Sequence, residues 1–311
     1  MFNTTPREIR ALASRHLILG ALFFLPKARK LGLERRLRGR EEYRKLQETD
    51  WVLMSWGKSG RTWFRVMLSR FYQLHFALPT ENMIEFDNFH RLNPAAPKVL
   101  FSHNNYMRDY LREWDSLAHF KGKKVVLLVR DPRDVAVSQY FQWKYRMLPG
   151  KKELNFYPPH GAEVEIFDFV SNPDCGIPRI VDYFNGWARA MPMMGDDLLM
   201  IRYEDMRADP GAALQKAVTH TGTPGDPAHI EAARDYAAYE NMKKREAKNE
   251  GMRASGQRVK PGDENNPDSF KVRRGKVGGY RDYFTPEQLA AVDAMVKGRL
   301  DPVFGFDGAG G

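Results

Sequence analysis

Short apolar runs alternate with helical patterns along most of the chain. Four runs predict buried strands at residues 51–56, 98–102, 124–129 and 198–203. Apolar residues at helical spacing predict helices at residues 61–76, 132–145, 164–170, 178–191, 211–221, 228–239 and 286–299, the last with Thr285 as its N-cap. Residues 146–161 and 244–268 show neither pattern and are predicted to be loops. Strands separated by helices indicate an α/β fold with a parallel sheet covered on both faces.

The first 48 residues form a separate predicted segment ahead of a domain of residues 49–311. Residues 1–40 carry ten Lys and Arg against two Glu, so most of the net charge of +10 lies there. The uncharged block at residues 17–25 is about half as long as the ~20 residues of a membrane-spanning helix. Two interpretations stay open, namely a helix that lies on an anionic membrane surface and a helix that packs on the domain's own core.

Composition narrows the classes of protein that the chain can represent. With 311 residues and 42% hydrophobic content, the chain can bury a large core. Its single cysteine, Cys175, cannot form an internal disulfide, and no Cys or His spacing suggests a zinc site. We therefore expect a cytoplasmic protein, with peripheral attachment to the membrane as an option. No nucleic-acid recognition module is apparent, and we expect no nucleic-acid partner.

A glycine-flanked lysine follows the first predicted strand. Residues 57–63 read GKSGRTW and lead into an amphipathic helix. Glycines on both sides of Lys58 allow backbone N–H groups to close around an anion at the positive end of the helix, where hydroxyl groups add contacts. This composition is typical of a phosphate-binding loop, although the spacing differs from G-x-x-x-x-G-K-[ST]. The alternative is a surface turn that happens to contain a lysine.

A second candidate phosphate site follows the third predicted strand. Arg130 stands at the end of that strand, and Ser138 comes two helical turns later. A guanidinium group and a hydroxyl group in this arrangement can bind one phosphate from two directions. The alternative is a capping arrangement, in which Asp131 and Pro132 start the helix and Arg130 pairs with a carboxylate.

These segments resemble the nucleotide-dependent sulfotransferases, which take a sulfuryl group from 3′-phosphoadenosine 5′-phosphosulfate (PAPS). Residues 58–63 match the family's K-S-G-T-T-W loop except at Arg61, and residues 130–138 match its R-[ND]-x-[KR]-D-x-x-x-S motif. Residues 273–285 look like its R-K-G-x-x-G-D-W-x-x-x-F-T segment, and residues 203–206 like its Y-E-D-[ML] motif. The resemblance implies a P-loop-like three-layer α/β/α fold with a parallel sheet of about five strands.

The resemblance also implies which residues hold PAPS. In the family, the lysine loop binds the 5′-phosphate, the tryptophan and two other aromatic residues contact the adenine, and the remaining motifs bind the 3′-phosphate. The residues at these positions are Lys58, Ser59, Gly60, Arg61, Thr62, Trp63, Arg130, Ser138, Tyr203, Tyr239, Arg273, Arg274 and Gly275.

Sulfuryl transfer needs a base near neutral pH to take the proton of the acceptor hydroxyl. His103 directly follows a predicted strand, where the family has its catalytic histidine, although a histidine at a strand end is also a common structural feature. Phe101 stands where many cytosolic members have a lysine, and Arg61 is the candidate source of the missing charge. The resemblance implies that His103 accepts the proton, that Lys58 neutralises the departing oxygen and that no metal is required.

Two other functions compete with sulfuryl transfer. A nucleotide-dependent kinase or phosphotransferase would need Mg²⁺ and an acidic residue at a strand end. A non-catalytic module could bind nucleotide at a membrane surface. For the enzyme, the acceptor is expected to be an apolar or amphiphilic hydroxyl compound. Seven aromatic residues suggest an aromatic-lined cleft, although core packing explains many of them equally well: Phe86, Phe89, Phe141, Trp143, Tyr145, Phe156 and Tyr157. The sequence makes no prediction of the oligomeric state.

Overall fold

Four parallel strands form the sheet at the centre of the fold. The computed structural model describes residues 6–113, 116–247, 263, 265–270 and 273–306. The strands are β1 (Trp51–Ser55), β2 (Val99–Ser102), β3 (Lys124–Val129) and β4 (Leu198–Arg202), in the spatial order β2-β1-β3-β4. Trp51 pairs with Val99 on one side and with Lys124 on the other, and Val125 pairs with Leu198. Each strand lies within one residue of its predicted bounds, and the described residues contain four strands where about five were expected.

Side chains along the central strands point alternately to the two faces of the sheet and contribute to two separate hydrophobic cores. Val52 and Met54 point to one face of the sheet, and Trp51 and Leu53 point to the other. Because every residue of β1 is buried, both faces must be covered by helices. The structure therefore has three layers, which confirms the predicted α/β/α class.

Helices cover both faces of the sheet. The first face packs against α6, α8 and α9, and the second against α3, α11 and α12. The helices of the described residues are α1 (Pro6–Ala21), α2 (Lys27–Glu48), α3 (Arg61–His75), α4 (Asn88–Leu92), α5 (Met107–Leu111), α6 (Pro132–Tyr145), α7 (Pro149–Leu154), α8 (Ile166–Ser171), α9 (Ile177–Met194), α10 (Tyr203–Ala208), α11 (Pro210–His220), α12 (Pro227–Tyr236), α13 (Tyr239–Ala247) and α14 (Pro286–Ala294).

Several predicted bounds change in the structure. The expected loop at 146–161 contains the short helix α7, and the expected helix at 228–239 ends at Tyr236, before α13 begins. The predicted loop at 244–268 starts with the last turn of α13, and most of the rest lies outside the described residues. The predicted cap at Thr285 is confirmed, because its side chain accepts a hydrogen bond from Gln288 N and the Gln288 side chain accepts one from Thr285 N.

Helix α2 is part of the packed structure. It lies against α5 and β2, and its Arg35 is buried. The Arg35 guanidinium donates to the carbonyl oxygens of Leu154 and Asn105 at 2.5 and 2.8 Å and forms an ion pair with Asp109 at 2.8 Å. The second half of the basic N-terminal segment therefore packs on the domain. No helix in the described ranges is long and apolar enough to cross a membrane.

Close packing of α2 on α5 generates a stability prediction. A Cβ atom on Gly39 would collide with the Tyr106 carbonyl oxygen and lie 2.9 Å from Tyr110 Cβ, whereas Gly32 in the same helix has no neighbour within 4 Å of that position. Gly39→Ala is therefore expected to lower the free energy of unfolding by about 1–3 kcal/mol through overpacking. Gly32→Ala should raise it by up to ~1 kcal/mol through helix propensity. Urea unfolding followed by circular dichroism measures both, and an equal gain in the two variants would contradict the tight α2–α5 contact.

Candidate active site

The loop between β1 and α3 has the backbone shape of an anion cradle. Lys58 has φ 71° and Gly60 has φ 89°, so both adopt the left-handed conformation, and Gly60 is the N-cap of α3. A Cβ atom on Gly60 would lie 2.7 Å from Tyr203 Cδ2, which leaves room only for glycine. The loop therefore leads directly into the N-terminus of α3, where unpaired N–H groups and the helix dipole favour an anion.

One cavity of about 650 Å³ lies at the carboxyl ends of the strands. Thirteen of the predicted site residues line it: Lys58, Gly60, Arg61, Thr62, Trp63, His103, Arg130, Ser138, Tyr203, Tyr239, Arg273, Arg274 and Gly275. Ser59 is fully buried and does not line this cavity, and its Oγ has no hydrogen-bond partner among the described residues. The structure thus brings separated pieces of chain together around one space, as the motifs require.

Lys58 is partly buried and lies close to other cations. Burial, followed by the positive charges of Arg146 and Arg130, lowers the pKa of the Lys58 ammonium group to about 7. Glu246, on α13, opposes this effect and accepts a hydrogen bond from Arg146 at 3.2 Å. Sequence reasoning missed Arg146 and Glu246, because neither stands in a motif and their pairing depends on how α13 packs against the end of α6.

Arg130 is held in place from several sides. Its guanidinium group donates to the carbonyl oxygens of Lys58 and Lys276 at 3.4 and 3.2 Å and lies 3.3 Å from a carboxylate oxygen of Asp134. It also stacks 4.2 Å from the centre of the Tyr203 ring. The capping alternative is correct for Asp131, which accepts from Arg133 N at 2.9 Å. Arg130 also lines the cavity, and its role in binding phosphate stays a prediction.

The segment from residue 273 onward closes over the cavity. Asp134 of α6 accepts hydrogen bonds from the backbone N–H groups of Gly278 and Tyr280, each at 2.9 Å. Gly275 has φ 62°, and a Cβ atom there would lie 2.9 Å from Tyr239 Cε2. The glycine therefore allows the backbone to pass directly over the Tyr239 ring and brings Arg273 and Arg274 to the cavity wall.

Aromatic side chains form one end of the cavity. Trp63 Nε1 donates to the Ala237 carbonyl oxygen at 2.7 Å, and its ring lies 6.0 Å from that of Tyr203. The Arg207 guanidinium lies 5.6 Å from the Trp63 ring and 5.7 Å from that of Tyr239. These flat surfaces suit a base such as adenine. Arg207 was missed, although its position four residues after Tyr203, on the same short helix, is the signal that could have found it.

His103 has both ring nitrogens engaged. Nδ1 lies 2.6 Å from the Ser55 carbonyl oxygen, and Nε2 lies 2.5 Å from Arg61 Nη2. A carbonyl only accepts and a guanidinium only donates, so Nδ1 carries the hydrogen and Nε2 presents its lone pair. This geometry belongs to the neutral imidazole, the form that can accept a proton.

Helix α2 adds a carboxylate next to this histidine. Ser102 Oγ donates to Glu42, and burial raises the pKa of Glu42 although this bond and the charges of Arg61 and Lys45 act in the opposite direction. Glu42 also lines a second cavity of about 310 Å³, which shares His103 with the first. No sequence pattern points to Glu42, because the charged residues of α2 do not show which side of the helix meets the domain.

The half of the cavity beyond His103 is more basic than predicted. Phe156 and Tyr157 line it, and Phe86 lines the second cavity. Phe89, Phe141 and Trp143 are buried in the cores instead, and Tyr145 does not line either cavity. The expectation of an aromatic-lined cleft is therefore wrong for most of these residues, because their spacing reflects core packing. Basic residues share this wall: Arg35, Arg65, Arg108, Lys151 and Arg179.

The acidic residues that follow strands β3 and β4 already have partners. Asp131 pairs with Arg133 at 2.7 Å, and Glu204 accepts from Asp131 N at 3.1 Å. This arrangement does not favour the phosphotransferase alternative, which needs a carboxylate for Mg²⁺. Among the described residues, no group of three or more His, Cys, Asp and Glu side chains is placed to hold a metal ion.

Comparison with known proteins agrees with the motifs. The sulfotransferase domain model matches residues 48–303. Cytosolic sulfotransferase 17 of Arabidopsis thaliana is 26% identical over 278 residues, which cover 83% of this chain and 76% of the relative. Sulfotransferase 2A1 of Homo sapiens is 24% identical over 178 residues, which cover 57% of this chain and 56% of the relative.

Solved structures share the fold. Mouse sulfotransferase SULT7A1 complexed with PAP has a TM-score of 0.54 at 20% identity and covers 83% of this chain and 89% of its own. Retinol dehydratase in a complex with retinol and PAP has a TM-score of 0.51 at 18% identity and covers 80% of each chain. The family model spans most of the sequence, and the resemblance found in the motifs is confirmed. The chain belongs to the PAPS-dependent sulfotransferase family.

Proposed function

We propose that the protein transfers the sulfuryl group of PAPS to a hydroxyl group of an amphiphilic acceptor and releases adenosine 3′,5′-bisphosphate (PAP). The observation that carries the proposal is that Lys58, Arg130, Arg274 and His103 line one cavity. Three cations there suit the phosphate groups, and a neutral imidazole suits the proton transfer.

The residues around the first loop fit the co-substrate. A Cβ atom on Gly57 would lie 2.9 Å from Gln139 Oε1, so glycines at 57 and 60 both keep the loop open for an anion. Ser59 retains a buried hydroxyl group without a partner among the described residues. Trp63 and Tyr239 offer ring faces for the adenine.

The reaction follows from the arrangement of His103 and Lys58. An acceptor hydroxyl group takes the place of Arg61 at His103 Nε2, which accepts the proton as the acceptor oxygen bonds to sulfur. The bond between sulfur and the bridging phosphate oxygen breaks, and PAP leaves with the bonding electrons. Lys58 stabilises the negative charge on that oxygen. Arg61 stays within reach of the transferred group and supplies the positive charge that Phe101 lacks.

The exposed N-terminal residues support a membrane surface as partner. Leu17, Phe23 and Phe24, here called the N-terminal apolar patch, are 74%, 77% and 67% exposed. Lys27 next to this patch pairs with Glu153 of α7 at 2.8 Å, and α7 also carries Lys151 of the cavity wall. The patch therefore lies near the cavity entrance. Apolar side chains beside Lys and Arg suit a bilayer that contains anionic lipid, from which an amphiphilic acceptor can enter.

The proposed role of His103 as the base predicts that its removal lowers turnover and leaves PAP binding intact. His103→Ala should lower kcat by about 10²–10⁴-fold, since a positioned base contributes that much, and should leave PAP affinity nearly unchanged. Turnover is measured with radiolabelled PAPS and a panel of alcohols, and PAP binding by calorimetry. His16→Ala, on the exposed side of α1, is the matched control. Wild-type turnover in His103→Ala would remove the residue from this role.

The lowered pKa of Lys58 predicts how PAP binding depends on pH. The ammonium form binds phosphate, and the pKa of Lys58 in the free protein is about 7. Affinity for PAP should therefore fall as pH rises above about 7, by at most about tenfold per pH unit. Phosphate groups, with a second pKa of about 6, are already ionised there.

Lys58→Arg keeps the charge but removes this titration, so its calorimetric PAP affinity should vary less between about pH 7 and about pH 9. The same pH dependence in both proteins would contradict the assignment to Lys58.

The membrane proposal predicts a loss of vesicle binding. Phe23→Ser together with Phe24→Ser should weaken binding to phosphatidylglycerol-containing vesicles at least tenfold, because burial of each ring contributes about 1.5–3 kcal/mol. Substitution is preferable to deletion here, since α2 packs on the domain. Leu92→Ser together with Val303→Ser, at sites 57% and 46% exposed elsewhere on the surface, is the control. Equal co-sedimentation of both double variants with vesicles would overturn the proposal.

A further inference from the structure

The second cavity brings residues of α2 to the histidine of the candidate active site. Its wall includes Glu41 and Glu42 of α2, Phe101 of β2 and His103 itself. The proposed reaction uses neither glutamate. Glu42 is nevertheless hydrogen-bonded to the residue that precedes His103 in the chain. This contact joins the N-terminal segment to the strand end that carries the proposed base.

A short chain of hydrogen bonds connects Glu42 to both neighbours of His103. The Ser102 hydroxyl group donates to Glu42 Oε1 and accepts from the backbone N–H of Asn104 at 2.7 Å. A hydroxyl group can do both at once, because it has one hydrogen and two lone pairs. Donation to a carboxylate also polarises the hydroxyl group and strengthens the bond that it accepts. One hydroxyl group therefore holds the residues on either side of His103, and its own orientation depends on Glu42.

The backbone directly after His103 needs this support. Asn104 has φ 54°, which is the left-handed conformation that residues other than glycine adopt only rarely. Ser102 and Asn104 are both buried, so an Asn104 N–H group that lost its partner would pay the cost of an unsatisfied donor. The bond from Asn104 to the Ser102 hydroxyl group therefore stabilises the turn that follows the histidine.

The turn determines where the imidazole ring lies. His103 Nδ1 lies 2.6 Å from the Ser55 carbonyl oxygen at the end of β1, and Nε2 lies 2.5 Å from Arg61 in the wall of the main cavity. Both contacts require the His103 backbone to stay at one place. A displacement of about 1 Å at a reacting group can lower a rate about 10²-fold. Small movements of this turn are therefore expected to affect the chemical step.

Glu42 differs from its neighbour Glu41, which lies in the same cavity wall. Glu41 forms an ion pair with Arg15 at 2.6 Å and so joins α1 to α2. Oε1 of Glu42 accepts from Ser102, whereas Oε2 is buried and has no hydrogen-bond partner among the described residues. A carboxylate with one buried oxygen unpaired costs free energy. Glu42 is thus a poor attachment point for α2, and its contact with Ser102 needs another explanation.

We propose that Glu42 is a positioning residue for His103: it orients the Ser102 hydroxyl group, which holds the turn after the histidine and keeps its Nε2 directed into the cavity. The inference rests on the proposed function, in which His103 takes the proton of the acceptor. It makes α2, which lies ahead of all the sequence motifs, part of the active site. Neither Glu42 nor Ser102 touches PAPS or the acceptor, so their removal affects the chemical step and not binding.

Steady-state kinetics of the full-length protein test this role. Glu42→Ala and Ser102→Ala are each expected to lower kcat about 10–100-fold and to change the acceptor KM and the calorimetric PAP affinity less than about twofold. The double variant should be no slower than the slower single variant, because both changes break one chain of hydrogen bonds. Glu42→Gln keeps an acceptor oxygen for Ser102 and should restore kcat to within about threefold of the wild type.

Glu41→Ala is the matched control, since it removes the same side chain from the same helix and cavity wall but breaks the ion pair with Arg15. It should lower Tm and leave kcat unchanged. Losses of kcat that multiply in the double variant overturn the proposal, as does a Glu42→Gln variant as slow as Glu42→Ala. A fall in PAP affinity that matches the fall in kcat would show a merely structural role and also overturn it.

Nitrogen NMR of histidine-labelled protein separates this inference from the proposed function. At about pH 8.5, well above the ~6.5 of an ordinary imidazole, His103 should carry its hydrogen on Nδ1 in the wild type and in Glu41→Ala. Glu42→Ala should give a mixture of both tautomers, and His103→Ala assigns the signal among the eight histidines. An unchanged Nδ1–H signal in Glu42→Ala refutes positioning even in a protein without turnover. Wild-type turnover in His103→Ala refutes the base role instead.

Discussion

A partly buried lysine ammonium group among arginines is the constraint on which this structure depends. Lys58 sits in a loop with left-handed backbone, close to Arg130 and Arg146, and burial makes each charge cost more than it would in water. Carbonyl oxygens and the carboxylates of Asp134 and Glu246 hold these groups in position. The repulsion that remains is lowest when an anion is bound, so the free protein is organised in advance for a polyanionic ligand.

One part of the N-terminal segment packs on the domain, and another part stays exposed. Arg35 of α2 enters the domain, where it fixes the chain after β2, and the same helix brings Glu42 to Ser102, beside His103. Leu17 of α1 and Phe23 and Phe24 of the turn after it stay exposed. Because Arg35 contacts the backbone of Leu154 and Asn105 at the edge of the cavity, α2 couples the position of the N-terminal segment to the shape of the site. Under the proposed function, a membrane bound to the exposed part would therefore be coupled to the proposed acceptor site.

Sequence reasoning succeeded where a pattern is local. The four strands were placed within one residue, because strands buried on both faces leave unmistakable apolar runs, and thirteen of the fourteen predicted site residues line one cavity, because each motif follows a strand end. It failed where a side chain's surroundings depend on packing between distant elements. Arg108, Arg179 and Glu42 stand on helices whose periodicity does not reveal what their polar residues meet. The aromatic residues of α6 had the right composition for a ligand pocket, but Phe141 and Trp143 pack in the core.

Arg61 shows how one departure from a family pattern changes the chemistry around it. The resemblance implies a hydroxyl residue at that position and a lysine at position 101, and this chain has an arginine and a phenylalanine instead. The Phe101 ring lies under the Arg65 guanidinium group of α3. Position 101 therefore carries no charge of its own but contacts a charged side chain. Arg61 in turn donates to His103 Nε2, the nitrogen that an acceptor hydroxyl group would occupy in the proposed reaction. In the proposed reaction the same arginine that occupies the base also supplies positive charge to the transferred group, so acceptor entry and charge stabilisation would depend on one side chain.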